Sequence, residues 1–496
     1  MMNAQTEPDA ANKAKRNPRV AVIGAGMSGI LTAIKLREAG ITDFTVYEKA
    51  GALGGTWRDN TYPGLCCDVP SHMYRYSFEP NAEWSHRFSP GAEIRTYFEG
   101  VAKKYGVESQ ITFNTEITRA RRREGKWHLQ CGDETLDVVD IIISAAGVLH
   151  HPVYPGIEGL DDFGGDVFHS ARWEHDVALE NRRIGIIGTG STAVQITTEL
   201  VDKVAHLFLF QRTAQWIFPQ ANPAFSEQEK AVFRNISGAM DDLHASLTRL
   251  FADTFGEAVI GDEEQMQNIE EACRTNLEDN VHDPALKAKL TPDYQAACKR
   301  LIVSDNFYHA IQQPNAELIT APIERVEPGG VRTKDGRLHE MEVLVLATGF
   351  DGHSFMRPME LVGNDGLELK DLWAEAASAH RSISLPGFPN FFMLVGPNSP
   401  IGNFSLIDIS EKQLAYVMQL IDLWRGGEVN EISAKKDATE AFNGTLKEAM
   451  KGTVWVTGCQ SWYLDKNGNP AMWPFSYDKF RADMAKPDLD EFDLVS

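Results

Sequence analysis

Two short glycine loops, framed in the same way, limit what this chain can fold into. The run Val20-Ala21-Val22-Ile23 is apolar on both faces, as a buried parallel strand requires. Gly24-Ala25-Gly26-Met27-Ser28-Gly29 follows. Ile30, Ala33, Ile34 and Leu36 then take helical spacing up to Gly40, a C-terminal stop. A strand over Phe44–Tyr47 ends at Glu48. The same order returns downstream: a strand over 184–187, the loop Gly188-Thr189-Gly190-Ser191-Thr192-Ala193, a helix over about 193–202, and a strand His206–Phe210 ending in Gln211-Arg212. Two such βαβ openings predict an α/β chain with two Rossmann-like dinucleotide-binding domains.

The two loops differ where it matters. In the first, Gly24 permits the tight turn, Gly26 lets a pyrophosphate approach, Gly29 lets helix pack on strand, and the helix start offers N–H groups to phosphate. Glu48 stands where a carboxylate accepts hydrogen bonds from an adenosine ribose. Alone, this loop serves NAD as well as FAD. Leu53-Gly54-Gly55-Thr56-Trp57, a compact turn with a large aromatic, decides for FAD. In the second, Ala193 replaces the last glycine, and Gln211 stands where Glu48 stands in the first. A carboxylate there would repel a 2′-phosphate, whereas Arg212 can pair with it through two hydrogen bonds. The second site therefore reads as NADPH.

Two further strands end in small residues, over 141–143 before Ala145-Ala146-Gly147, and Val343–Leu346 before Ala347-Thr348-Gly349. The stretch 225–297, rich in Glu, Asp, Ala and Leu, reads as a helical insertion. The expected division is a loose tail over 1–18, FAD-binding parts over 19–150 and 346–496, NADP-binding parts over 151–222 and 298–345, and the insertion over 223–297. An apolar helix is expected near Phe404, after Asn398-Ser399-Pro400, with its N-terminus toward the flavin.

Composition excludes several classes. The 496 residues carry a net charge of −22, which argues against broad nucleic-acid or anionic-membrane binding. No signal-like or 18-residue apolar run is seen, so a cytoplasmic protein without membrane insertion is expected. The six cysteines form no CxxC pair and, with histidine, no zinc spacing. They are expected to be free thiols, and no metal is expected. A disulfide reductase of similar layout would need a CxxC or Cx4C pair. A non-catalytic nucleotide sensor is another alternative.

Phe163, Gly165, His169 and Trp173 fit FxGxxxHxxxW. Gly54-Gly55-Thr56-Trp57, Tyr62-Pro63-Gly64 and Asp68 fit GGxWxxxxYPGxxxD. These resemble the signatures of type I Baeyer–Villiger monooxygenases. Gln211-Arg212-Thr213, Cys298-Lys299-Arg300, Ala347-Thr348-Gly349-Phe350, Gly387-Phe388-Pro389-Asn390 and Ser461-Trp462-Tyr463 extend the likeness over about 19–475. Related nitrogen- and sulfur-oxidising flavin monooxygenases usually end the first pattern in Tyr or Phe, and they remain the alternative. Glu174 departs from the family's usual Pro or Asp, and Val148 stands where members often have Gln.

The resemblance implies FAD, NADPH and O2 acting on a ketone to give an ester or lactone through a C4a-peroxyflavin, with sulfoxidation as a side activity. It implies Arg300 as the cation beside the flavin, Asp68 as the residue that orients it, Lys299 at the 2′-phosphate and Trp462 at the nicotinamide ribose. His169 is implied as a linker between domain movement and catalysis. The candidate cofactor set also takes in Ser28, Tyr74, Leu406, Thr189, Ser191, Thr192, Gln195 and Thr213. Substrate identity and oligomeric state stay open.

Overall fold

The computed structural model describes residues 15–496, so most of the expected tail, 1–14, lies outside the described residues. The part that is described is not loose. The backbone N–H of Arg16 donates to the Arg425 carbonyl, and the Arg16 guanidinium lies 4.0 Å from the centre of the Trp424 ring.

Each glycine loop starts from the middle of its own five-stranded parallel sheet. In the first sheet, Val20–Ile23 lies between Phe44–Tyr47 and Ile141–Ser144, with Phe391–Met393 and Ile111–Thr112 at the edges. In the second, Arg183–Ile187 lies between His206–Phe210 and Val343–Leu346, with Ala316–Ile319 and Asp166–His169 outside. The central strands are buried on both faces, as their unbroken apolar runs require. The return of the C-terminal part to the first sheet agrees with its edge strand Phe391–Met393.

The same neighbour explains the turn in both loops. Gly24 has φ +101°, and a Cβ there would lie 2.7 Å from the Ala145 carbonyl oxygen. Gly188 has φ +121°, and its Cβ would lie 2.3 Å from the Ala347 carbonyl oxygen. Only glycine meets both the backbone angle and the space. The helices that follow are Met27–Glu38 and Ser191–Leu200, the second starting two residues before its expected position.

Helices Glu227–Asn235, Ala239–Phe251, Glu263–Asn280 and Pro284–Leu290 occupy the expected insertion. Some features went unread in the sequence. A four-stranded sheet joins Arg119–Arg123, Lys126–Cys131 and Glu134–Val139 to Glu360–Val362. The turn-rich C-terminal part carries, besides the helix expected near Phe404, a second long helix that was not foreseen, Lys436–Met450.

One expectation is corrected. Cys298 and Cys459 form a disulfide across a sequence separation of 161, while Cys66, Cys67, Cys131 and Cys273 are free. The fold brings the two Cα atoms to 6.1 Å, within bridging range. Sequence spacing carries no trace of such a long-range pair. Among the described residues no helix is long and apolar enough to cross a membrane, and no cluster of three or more His, Cys, Asp or Glu could hold a metal.

Candidate functional site

A single continuous cleft of about 1680 Å³ runs from the first glycine loop to the second and on under the insertion helices. A pocket for one small molecule measures roughly 300–1,000 Å³, so this one has room for more than one ligand. Gly24, Gly26, Ser28, Glu48, Gly55, Trp57, Asp68, Tyr74 and Leu406 line it, together with Gly190, Ser191, Thr192, Gln195, Lys299, Arg300 and Trp462.

Both helix starts are built to receive an anion. Gly26 and Gly190 are the N-cap residues, and neither helix has a side-chain cap. Their first N–H groups therefore have no capping partner in the protein and open toward the cleft. Gly55 faces Gly26 so closely that a Cβ on Gly55 would lie 3.0 Å from the Gly26 Cα. Two side-chain-free loops thus form the floor of the first cradle.

Glu48 is buried at the end of its strand. Its two oxygens accept the Ala25 and Ala50 N–H groups, both at 2.9 Å, and Arg58 pairs with it at 3.0 Å. Arg58 lines the cleft and escaped the sequence reading, although it directly follows Trp57 in the Gly-rich turn. Trp57 donates its ring N–H to the Tyr74 hydroxyl at 3.1 Å, and the two rings meet edge-to-face.

Arg300 reaches Asp68 from the opposite side of the chain. Asp68 Oδ2 accepts from Arg300 Nε at 2.9 Å and also from Nη2. The guanidinium side chain keeps 34% exposure, toward the cleft. The Asp68 charge raises the Arg300 pKa further, outweighing burial, so the group is a permanent cation. Tyr463, also unpredicted as a site residue, stands close by. Burial raises its phenol, and the Arg300 charge works the other way.

Lys299 lies 4.5 Å from the centre of the Tyr294 ring. Its pKa is lowered, first by burial and then by the neighbouring Arg212 charge. Arg212 is exposed just outside the cleft lining. Two cations held near each other in this way are costly unless an anion joins them. Thr189 donates its hydroxyl to the Thr213 carbonyl at 3.1 Å, so those two residues brace the second loop, and they and Gly188 do not line the cleft.

The signature residues also lie off the cleft. Phe163 and Gly165 pack at the second sheet, where a Cβ on Gly165 would lie 2.2 Å from the Glu342 carbonyl oxygen. Trp173 packs edge-to-face on Phe168. His169 closes its strand, its Nδ1 accepts the Ala171 N–H at 3.0 Å, and burial lowers its pKa. Its ring stands 6.0 Å from Phe350, beside the segment that reaches Trp462 through the His353 ring and the Trp462 carbonyl, 2.8 Å apart. The helix expected near Phe404 begins at Leu406.

A family model described as flavin-binding monooxygenase-like matches residues 17–234. A Mycobacterium tuberculosis monooxygenase is 49% identical over 97% of this chain and 96% of its own length. A Baeyer–Villiger monooxygenase of Streptomyces coelicolor is 39% identical over 96% and 92%. The crystal structure of an OTEMO complex with FAD and NADP superposes with a TM-score of 0.87 at 25% identity, covering 97% of this chain and all of the other. With end-to-end relatives at these identities and a cleft joining two dinucleotide cradles, the chain belongs to the Baeyer–Villiger monooxygenase family of flavin-binding monooxygenases.

Proposed function

We propose that this chain is an FAD- and NADPH-dependent monooxygenase that inserts one atom of O2 into a ketone, giving an ester or lactone. The single observation that carries the reading is Arg300, a fixed cation held by Asp68 at the cleft wall between the two glycine loops.

The residues present fit both cofactors. The uncapped start of Met27–Glu38 and the side-chain-free floor of Gly26 and Gly55 suit the FAD pyrophosphate, with Glu48 at the adenosine ribose. The uncapped start of Ser191–Leu200 suits the NADPH pyrophosphate, with Arg212 and Lys299 at its 2′-phosphate. When bound, NADPH supplies hydride and FAD supplies the activation of oxygen.

The chain's own residues orient, hold charge and exclude water. Arg300 cannot lose its proton at physiological pH, so it favours negative charge on the attacking oxygen and on the substrate carbonyl oxygen. Asp68 holds the guanidinium through one oxygen and leaves it partly exposed. Trp57 and Tyr74 wall the site with apolar surface, and Trp462 lines it from the NADPH side. His169, neutral and off the cleft, suits a linker role rather than acid–base chemistry. The reading assigns 19–150 and 346–496 to the FAD half, 151–222 and 298–345 to the NADPH half, and 223–297 to the insertion. The edge strands Phe391–Met393 and Ala316–Ile319 support that division.

The test feeds linear, cyclic and aryl ketones, with a thioether as rival substrate, and follows NADPH consumption and product mass. A ketone gaining one oxygen is the expected result. Arg300→Ala should still consume NADPH and yet lose ester formation by about 10²–10³-fold. Normal ester formation by that variant overturns the assignment of Arg300.

A further inference from the structure

Beyond the cofactor cradles, the cleft continues into a chamber roofed by the insertion. Phe233, Leu243, Leu247, Phe251 and Ile269 form its apolar wall. In that wall stands one buried polar side chain that the chemistry above does not use. His72 is 1% exposed, and neither ring nitrogen has a hydrogen-bond partner among the described residues. Its ring centre lies 4.3 Å from that of Phe233 and 5.2 Å from that of Phe225. Only its backbone carbonyl is engaged, by the His244 ring at 3.0 Å.

A buried imidazole with two unused nitrogens is costly to keep, because each lost its water on folding. Burial, helped by the nearby Arg75 charge, lowers its pKa to about 4, so it is neutral and offers one donor and one acceptor. Arg75 is itself taken by Asp241 at 2.8 Å. A neutral imidazole in an aromatic wall suits an uncharged oxygen, not a carboxylate. The ring packed on it is loosely held. Phe233 is only half-buried, on Glu227–Asn235, a helix with no buried residue.

We infer that His72 is a specificity-determining residue, and that the substrate is an apolar ketone carrying a second, uncharged hydroxyl or carbonyl oxygen remote from the carbonyl that is oxidised. The apolar body fills the insertion chamber, Phe233 swings aside, and the distal oxygen takes the His72 hydrogen bond. The inference rests on the ketone-oxidising reading and names the substrate class of that same cleft.

The experiment uses the FAD-loaded enzyme with NADPH and a series of straight-chain 2-alkanones from six to twelve carbons, each beside its ω-hydroxy counterpart. The readout is the ratio of kcat/KM within each pair, taken in one preparation so that partial misfolding cancels. In the wild type at least one chain length should favour the hydroxylated ketone by roughly 5–100-fold, the range of one buried hydrogen bond. His72→Phe, which keeps the ring volume, should bring that ratio to about one, and His72→Asn should restore part of it. A wild-type ratio near one at every length, or a preference that survives in His72→Phe, overturns the inference. If the unsubstituted ketones also yield no ester, the ketone-oxidising reading itself fails, which is a separate outcome.

Discussion

Asp68 holds Arg300 through one oxygen: Oδ2 accepts from both Nε and Nη2, leaving Nη1 outside the pair. The clamp is therefore a hinge point rather than a two-pronged fork. Asp68→Asn keeps an acceptor oxygen but removes the charge, and Asp68→Ala removes both. We expect ester formation to fall about tenfold in the first and about a hundredfold in the second, the range for a charge-assisted bond. Single-turnover product yield against NADPH consumption checks this. Equal losses in both would show that only the charge matters.

Arg212 and Lys299 should discriminate NADPH from NADH. Arg212→Ala should weaken NADPH by about tenfold or more and leave NADH nearly unchanged. The pH dependence has a fixed sign. Lys299 is pushed below its ordinary 10.5 in the free protein by burial and Arg212. A bound phosphate favours the charged form, so the preference for NADPH is present at low pH and fades as pH rises through the lowered value. Paired binding titrations from pH 7 to 11 would show it, and a preference that holds constant beyond the ordinary 10.5 contradicts the pairing.

The Cys298–Cys459 bond ties the residue before Lys299 and Arg300 to the segment that carries Trp462. A disulfide typically contributes about 2–4 kcal/mol to stability. Cys459→Ser should lower the melting temperature and raise the KM for NADPH more than it alters FAD content. Thiol counting under denaturing, non-reducing conditions should find four free cysteines. Six would remove the bond.

Acid should destabilise the fold in a defined window. His72 and His150 are both lowered to about 4, chiefly by burial. Unfolded, each takes a proton near pH 6.5, so the unfolded state binds protons that the native state refuses. Stability is full above that value and is lost as pH falls from about 6.5 to 4. Melting temperatures across this range should show the slope, and His72→Phe should flatten it.

Much of the site was legible because glycine loops are local. Gly24 and Gly188 announce a turn that no other residue can make, and the apolar runs before them announce buried strands. The Arg300–Asp68 pair joins residues 232 apart and came only through likeness to a family. The four-stranded sheet escaped because strands such as Arg119–Arg123 are short and rich in charge, with few apolar residues to betray a face. The unpartnered state of His72 exists only in three dimensions, since its neighbours Phe225 and Phe233 come from the insertion.

Gln195 has one further consequence. Its amide accepts from the Tyr62 hydroxyl at 2.9 Å and donates to the Cys66 carbonyl at 2.9 Å, and a Cβ on Gly64 would lie 2.7 Å from its own backbone oxygen. The helix after the second glycine loop is thus gripped by the stretch that leads into Asp68. The two halves cannot slide past each other without pulling on the clamp that aims the guanidinium. Any tilt of the helix Ser191–Leu200 is passed mechanically to Asp68, two residues beyond the grip at Cys66, and through it to the Arg300 guanidinium.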